Sequence, residues 1–333
     1  MDMNRIFLST NGERLARAEC GSDGRWSVAF LLDGTRVNCL AADPLNRDVV
    51  YAGTQGQGVL RSDDRGSTWK PSGMHGQVVK AIAVSPAKPG LLVAGTRPPG
   101  VFVSRDGGLN WSEQLSFRKK RRWWWFSPAE RPFTPYIQGI ALSPTDPNVM
   151  IVGVELGGVL RSTDGGNTWQ NHRKGAVLDC HSLRFHATNG DWVYEGGGSG
   201  AGAAFSRDAG NTWTQSRQGL DRHYGWAAAA DPARPEVMYA SVSPGPMKAH
   251  SSDNAQAYIF RSIGGSAWEK LSGGLPHPLN HMPYALLTDR DAPGHLYAGL
   301  SNGDVWHTKD YGDHWQQLAL NMGNIWNSMV MLK

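Results

Sequence analysis

The chain has 333 residues, 40% of them apolar and 19% charged, with 41 glycines, 14 tryptophans and a net charge of +4. That length admits two average domains or one repeat architecture, and so many glycines and tryptophans among so few charges exclude a disordered or long-helix chain. Three cysteines (Cys20, Cys39, Cys180) without a CxxC pattern exclude a disulfide framework and read as reduced, packed thiols.

From the N-terminus, Met1 to Arg5 leads straight into Ile6-Phe7-Leu8 with no apolar leader, and no apolar run long enough to span a bilayer follows. The expectation is a cytoplasmic protein without a transmembrane segment, although a trimmed leader would leave the same sequence. Residues 5–10, 14–19 and 25–31 predict three strands.

Six units then repeat one order from 37 to 318. A strand ending in a turn (Ile82-Ala83-Val84-Ser85-Pro86) is followed by a second strand (Leu92-Val93-Ala94-Gly95-Thr96) and a third (Gly100-Val101-Phe102-Val103). Next comes an octapeptide, seen first as Ser62-Asp63-Asp64-Arg65-Gly66-Ser67-Thr68-Trp69. It recurs at 104–111, 162–169, 206–213 and, with Thr for Ser, 308–315. A copy at 262–268 is one residue short and lacks its Asp, and 20–26 is a weaker echo. In such a turn Asp and Ser bond the turn's own amides, Gly supplies a positive φ and Trp packs between sheets, so the boxes read as structural.

Four strands per unit predict an all-β fold, a single seven-bladed β-propeller over 1–333. Blades one to six run from 37 to 318, and blade seven combines 324–332 with 5–31, so that a C-terminal strand a completes the N-terminal blade. The octapeptides resemble those of the BNR/Asp-box superfamily, which includes sialidases, xyloglucanase modules, sortilin-type ectodomains and photosystem assembly factors. The resemblance covers nearly the whole chain and implies fold far more than activity. The F-R-I-P motif of sialidases is absent, since Arg5-Ile6-Phe7 does not reproduce it, and a single propeller lacks the two-propeller cleft of xyloglucanases.

Comparing the repeats with one another locates the departures. Just before the small residue of each strand a stand Asn38, Lys80, Gln138, His181, Trp226, Tyr284 and Asn327. These predict a ring at the channel mouth, either a binding or catalytic site or solvated pore residues. Blade four carries Arg184 and Glu195 where other blades have small or apolar residues, predicting an ion pair across the hairpin, structural or functional. His181, His223 and His281 enter three successive blades and would supply three imidazoles for a divalent metal; hydrogen bonding to an organic ligand and ordinary packing are the alternatives.

Two insertions, 117–135 and 243–257, fall on loops of the mouth face. The first joins Arg118-Lys119-Lys120-Arg121-Arg122 to Trp123-Trp124-Trp125, which suits an anionic ligand, a glycan, a single strand or an anionic membrane as well as simple packing.

Two functions follow. One is a hydrolase or lyase acting at the mouth on a small organic or glycan-like, anionic or aromatic substrate. In it His181, Glu195 or Tyr284 handle protons, Lys80, Arg36 or Arg184 stabilise negative charge, and Asn38, Gln138, Trp226, Asn327, Trp123 and Trp124 bind. The other is a non-catalytic ligand-binding or assembly propeller using the basic tryptophan loop. Nucleic acid is not the expected partner, and oligomeric state is not legible.

Overall fold

The computed structural model describes residues 5–129, 131–198 and 200–332. Its strands form seven antiparallel sheets arranged as a seven-bladed propeller. Blade two shows the pattern, with strands Val78–Val84, Leu92–Arg97, Val101–Ser104 and Ser112–Glu113 running outward from the axis. Blade three has three strands, its fourth reduced to a bridge between Arg161 and Gln170.

Blade seven is assembled from both ends of the chain. Met329–Leu332 pairs with Ile6–Asn11, Ile6 opposite Leu332 and Ser9 opposite Met329. Pairing starts later than the sequence pattern implies, because Ile325 is buried between blades and Asn327 takes a left-handed φ of 80°. No helix among the described residues is long and apolar enough to cross a membrane.

The core is divided into seven layers, each between two neighbouring blades, and every layer holds one tryptophan from an octapeptide, or its shortened copy, of the later blade. Trp169 packs in the layer between blades two and three, Trp213 in the next, then Trp268, Trp315, Trp26, Trp69 and Trp111 around the ring. The turn chemistry explains how each ring is aimed. In blade one Ser62 Oγ donates to Asp64 Oδ1 at 2.7 Å and accepts the Gly66 N–H, while Asp64 accepts the Thr68 N–H at 2.8 Å and its hydroxyl at 2.6 Å. The Trp69 indole then donates to the Gly66 carbonyl at 3.1 Å. Gly66 sits at φ 82°, where a Cβ would also strike Leu8 of the neighbouring blade. These hydrogen bonds, the one from Thr68 foremost, hold the Asp64 carboxyl down at about 2.

Candidate functional site

The inner strands share an irregularity that creates the site. In blades one to six the register between strands a and b shifts at the ring position, between Val37 and Cys39, Val79 and Ala81, Ile137 and Gly139, Cys180 and Ser182, Gly225 and Ala228, and Pro283 and Ala285. Asn38, Lys80, Gln138, His181, Trp226 and Tyr284 are thus bulged residues, and a bulge re-aims its side chain out of the sheet alternation. The facing strand b carries Gly53, Gly95, Gly153, Gly196 or Gly299, where a Cβ would collide with strand a of its own or the next blade.

Along the axis runs a cavity of about 790 Å³. Its walls include Asn38, Lys80, Gln138, His181, Arg184 and Asn327, with Asp43, Arg47, Asp289 and Asp291 toward the opposite face. Those acids are engaged: Asp289 pairs with Arg5 at 3.0 Å, Asp291 lies 3.5 Å from Arg47, and Asp43 caps the Leu45 and Asn46 amides. Lys80 lies 4.7 Å over the Tyr136 ring. Arg184 is exposed to the channel, has no carboxylate partner among the described residues, and is drawn below the usual arginine range by burial among the surrounding wall. The channel wall therefore carries a cation without a carboxylate counter-ion among the described residues.

Trp226 and Tyr284 do not line this cavity. They turn into the layer between blades five and six, where they meet edge-on at 4.9 Å. His181 stacks on Trp226 at 4.5 Å, donates from Nδ1 to the Gly225 carbonyl at 2.7 Å, and faces Asp179 from Nε2 at 3.5 Å. Burial opposes its charge, but Asp179, the Gly225 carbonyl and Glu155 outweigh it and raise its pKa. Glu155 is buried, accepts the Ser127 hydroxyl at 2.9 Å, and is raised by desolvation. Tyr284 shares its hydroxyl with His250 Nδ1 at 2.6 Å, and His250 Nε2 meets the Tyr224 hydroxyl at 2.9 Å.

Glu155, Ser127 and His250 were not among the residues expected from sequence. Glu155 carries a signal nonetheless: at the end of strand b the other blades have Asn11, Gln55, Arg97, Gly198, Ser243 and Ser301, and blade three has the lone carboxylate. Ser127 and His250 belong to the two insertions, which reach the ring through these hydrogen bonds.

Two groupings expected from sequence are corrected. Arg184 and Glu195 form no pair: Glu195 stands opposite Leu183 and Arg184 opposite Tyr194. The ring bulge shifts the register by one residue, and a one-residue slip puts every side chain on the other face. Glu195 is instead sealed inside blade four beside the Cys180 thiol, where Oε2 accepts the Val177 N–H at 2.8 Å and Oε1 meets no conventional hydrogen-bond partner among the described residues. Desolvation raises it to about 8. The three histidines do not converge either. His181 is buried, His223 exposed and His281 half-buried, and no group of three or more metal-ligating side chains occurs among the described residues. Arg36 is exposed on the loop entering blade one; in the first insertion Trp125 is buried while Trp123 and Trp124 are exposed.

Comparison with known proteins adds fold and no more. Neither a family model nor a curated protein matches the chain. Among solved structures it is similar to the GH74 xyloglucanase of Xanthomonas campestris, with 18% identity over 84% of this chain and 45% of that one and a TM-score of 0.63. It is also similar to the GH74 enzyme of Niastella koreensis, with 16% identity over 95% of this chain and 54% of that one and a TM-score of 0.67. YCF48 bound to D1 peptide shares 14% identity over 96% of this chain and 87% of that one, at a TM-score of 0.59. The chain thus spans about half the length of the GH74 enzymes and most of YCF48.

Proposed function

We propose that this propeller is a receptor for an anionic, sugar-sized organic molecule held in the axial channel. The observation that carries the reading is Arg184, a cation on the channel wall with no carboxylate partner among the described residues. Lys80 adds positive charge nearer the mouth, and the Asn38, Gln138 and Asn327 carboxamides offer hydrogen bonds to hydroxyls. Strand rise puts Arg184 roughly 10 Å deeper than His181, the length of a small carboxylated or phosphorylated sugar. The cavity volume falls in the ordinary range for such ligands. The octapeptide turns support placing the chain among the Asp-box propellers.

Binding without turnover is favoured because the nominated proton carriers face protein. His181 spends both ring nitrogens on Gly225 and Asp179, Tyr284 its hydroxyl on His250, and Glu195 is sealed in the wall. The buried carboxyls Glu155 and Asp179 beside His181, together with the likeness to GH74 hydrolases, support a second reading in which the mouth performs glycan hydrolysis. Incubating the protein with carboxylated and neutral oligosaccharides, with thermal shift and product analysis in parallel, separates the two. Stabilisation by the acidic sugars with no products supports the receptor. Cleavage, abolished in Glu155→Gln, supports the hydrolase, and neither stabilisation nor products refutes both.

A further inference from the structure

Twelve large apolar side chains are exposed among the described residues, and seven of them stand on loops of the mouth face. Trp123 (96% exposed), Trp124, Phe126 and Phe133 belong to the first insertion, Met247 (89%) to the second, and two more lie on the loops entering blades four and seven. Such clustering on one face marks an interaction surface.

The first insertion is well anchored beneath these rings. Phe117 is fully buried and meets Trp169 edge-on at 5.3 Å, Trp125 is buried in the same layer, and Ser127 is tied to Glu155. Trp123 is therefore turned outward by a loop held in place, with no wall beside it. Behind it run five consecutive cations, 118–122, of which Arg118 alone meets a carboxylate among the described residues, Glu113 at 3.6 Å.

We propose that this face docks on an anionic lipid bilayer. A peptide or single strand is gripped best in a groove, whereas Trp123 stands 96% exposed. A bilayer supplies a plane that apolar tips on separate blades reach together, an interfacial zone that favours indoles, and negative headgroups for Lys119 to Arg122. Attachment through side chains at the interface is peripheral and reversible.

Flotation of the full chain with phosphatidylcholine vesicles, and with vesicles holding about 30% phosphatidylserine, tests this. The expected result is flotation with the anionic vesicles alone, lost at high salt. Trp123→Ala with Trp124→Ala weakens it at least tenfold, and each of Lys119, Lys120, Arg121 and Arg122 changed to Ala weakens it roughly fivefold. Trp124 contacts Trp125 edge-on at 6.3 Å, so the single Trp123→Ala variant, with an unchanged melting temperature, keeps the test valid if the double variant misfolds. No flotation with anionic vesicles at low salt, equal flotation with neutral ones, or undiminished flotation of a folded Trp123→Ala protein overturns the proposal. So does displacement from vesicles by equimolar single-stranded oligonucleotide, which would assign the face to nucleic acid.

Discussion

Glu195 and Arg184 lie on strands that pair directly, yet Glu195 faces Leu183 inside blade four and Arg184 faces the axial channel. The two charges are handled by opposite means. Glu195 is kept neutral near physiological pH by desolvation, whereas Arg184 opens onto the channel and is only drawn below the usual arginine range by the wall around it.

The neutral Glu195 makes stability depend on pH. Its folded pKa of about 8 lies above the ordinary carboxyl value, so between those two the folded chain holds a proton that the unfolded chain has released. Stability is then full below the unfolded pKa and falls as pH rises toward 8, by at most about 1.4 kcal/mol per unit from this group. Buried Glu155 and His181, also raised, act in the same direction. Urea midpoints of Glu195→Gln between pH 5 and 8 should show a flatter profile and a gain over wild type at pH 8.

At the acid end the octapeptide turns govern. Asp64, Asp106 and Asp310 are each depressed to about 2, by hydrogen bonds within their turns. A depressed carboxyl contributes stability present above its unfolded pKa and lost as pH falls through its folded one. Acid unfolding followed by tryptophan fluorescence should move to higher pH in Asp64→Asn.

Tryptophans separate packing from surface. Trp315 is 4% exposed and fills the layer between blades five and six, so Trp315→Ala should cost about 3–5 kcal/mol in denaturant unfolding. Trp123→Ala should stay within about 0.5 kcal/mol of wild type.

The repeat made most of the architecture readable before any coordinate. Octapeptides such as 62–69 fix where each turn lies, and the split blade follows from leftover strands at the two ends. Local turn chemistry is encoded in adjacent residues, which is why it is legible. Register at the ring was not, because a bulge such as that at His181 depends on how closely Gly153 lets strand a of blade four approach. That one-residue error paired Arg184 with Glu195. Likewise the convergence of Glu155, Ser127 and His250 at the mouth depends on how two insertions fold back, which spacing does not encode.

The claim that the channel is an anion receptor stands or falls on Arg184. Calorimetric titration with digalacturonate, against maltose as a neutral disaccharide, measures it directly. Binding is expected for the diacid alone, at least tenfold weaker in Arg184→Ala and partly restored in Arg184→Lys, with melting temperatures unchanged. Equal binding of maltose, or diacid binding that a folded Arg184→Ala protein retains in full, would contradict it.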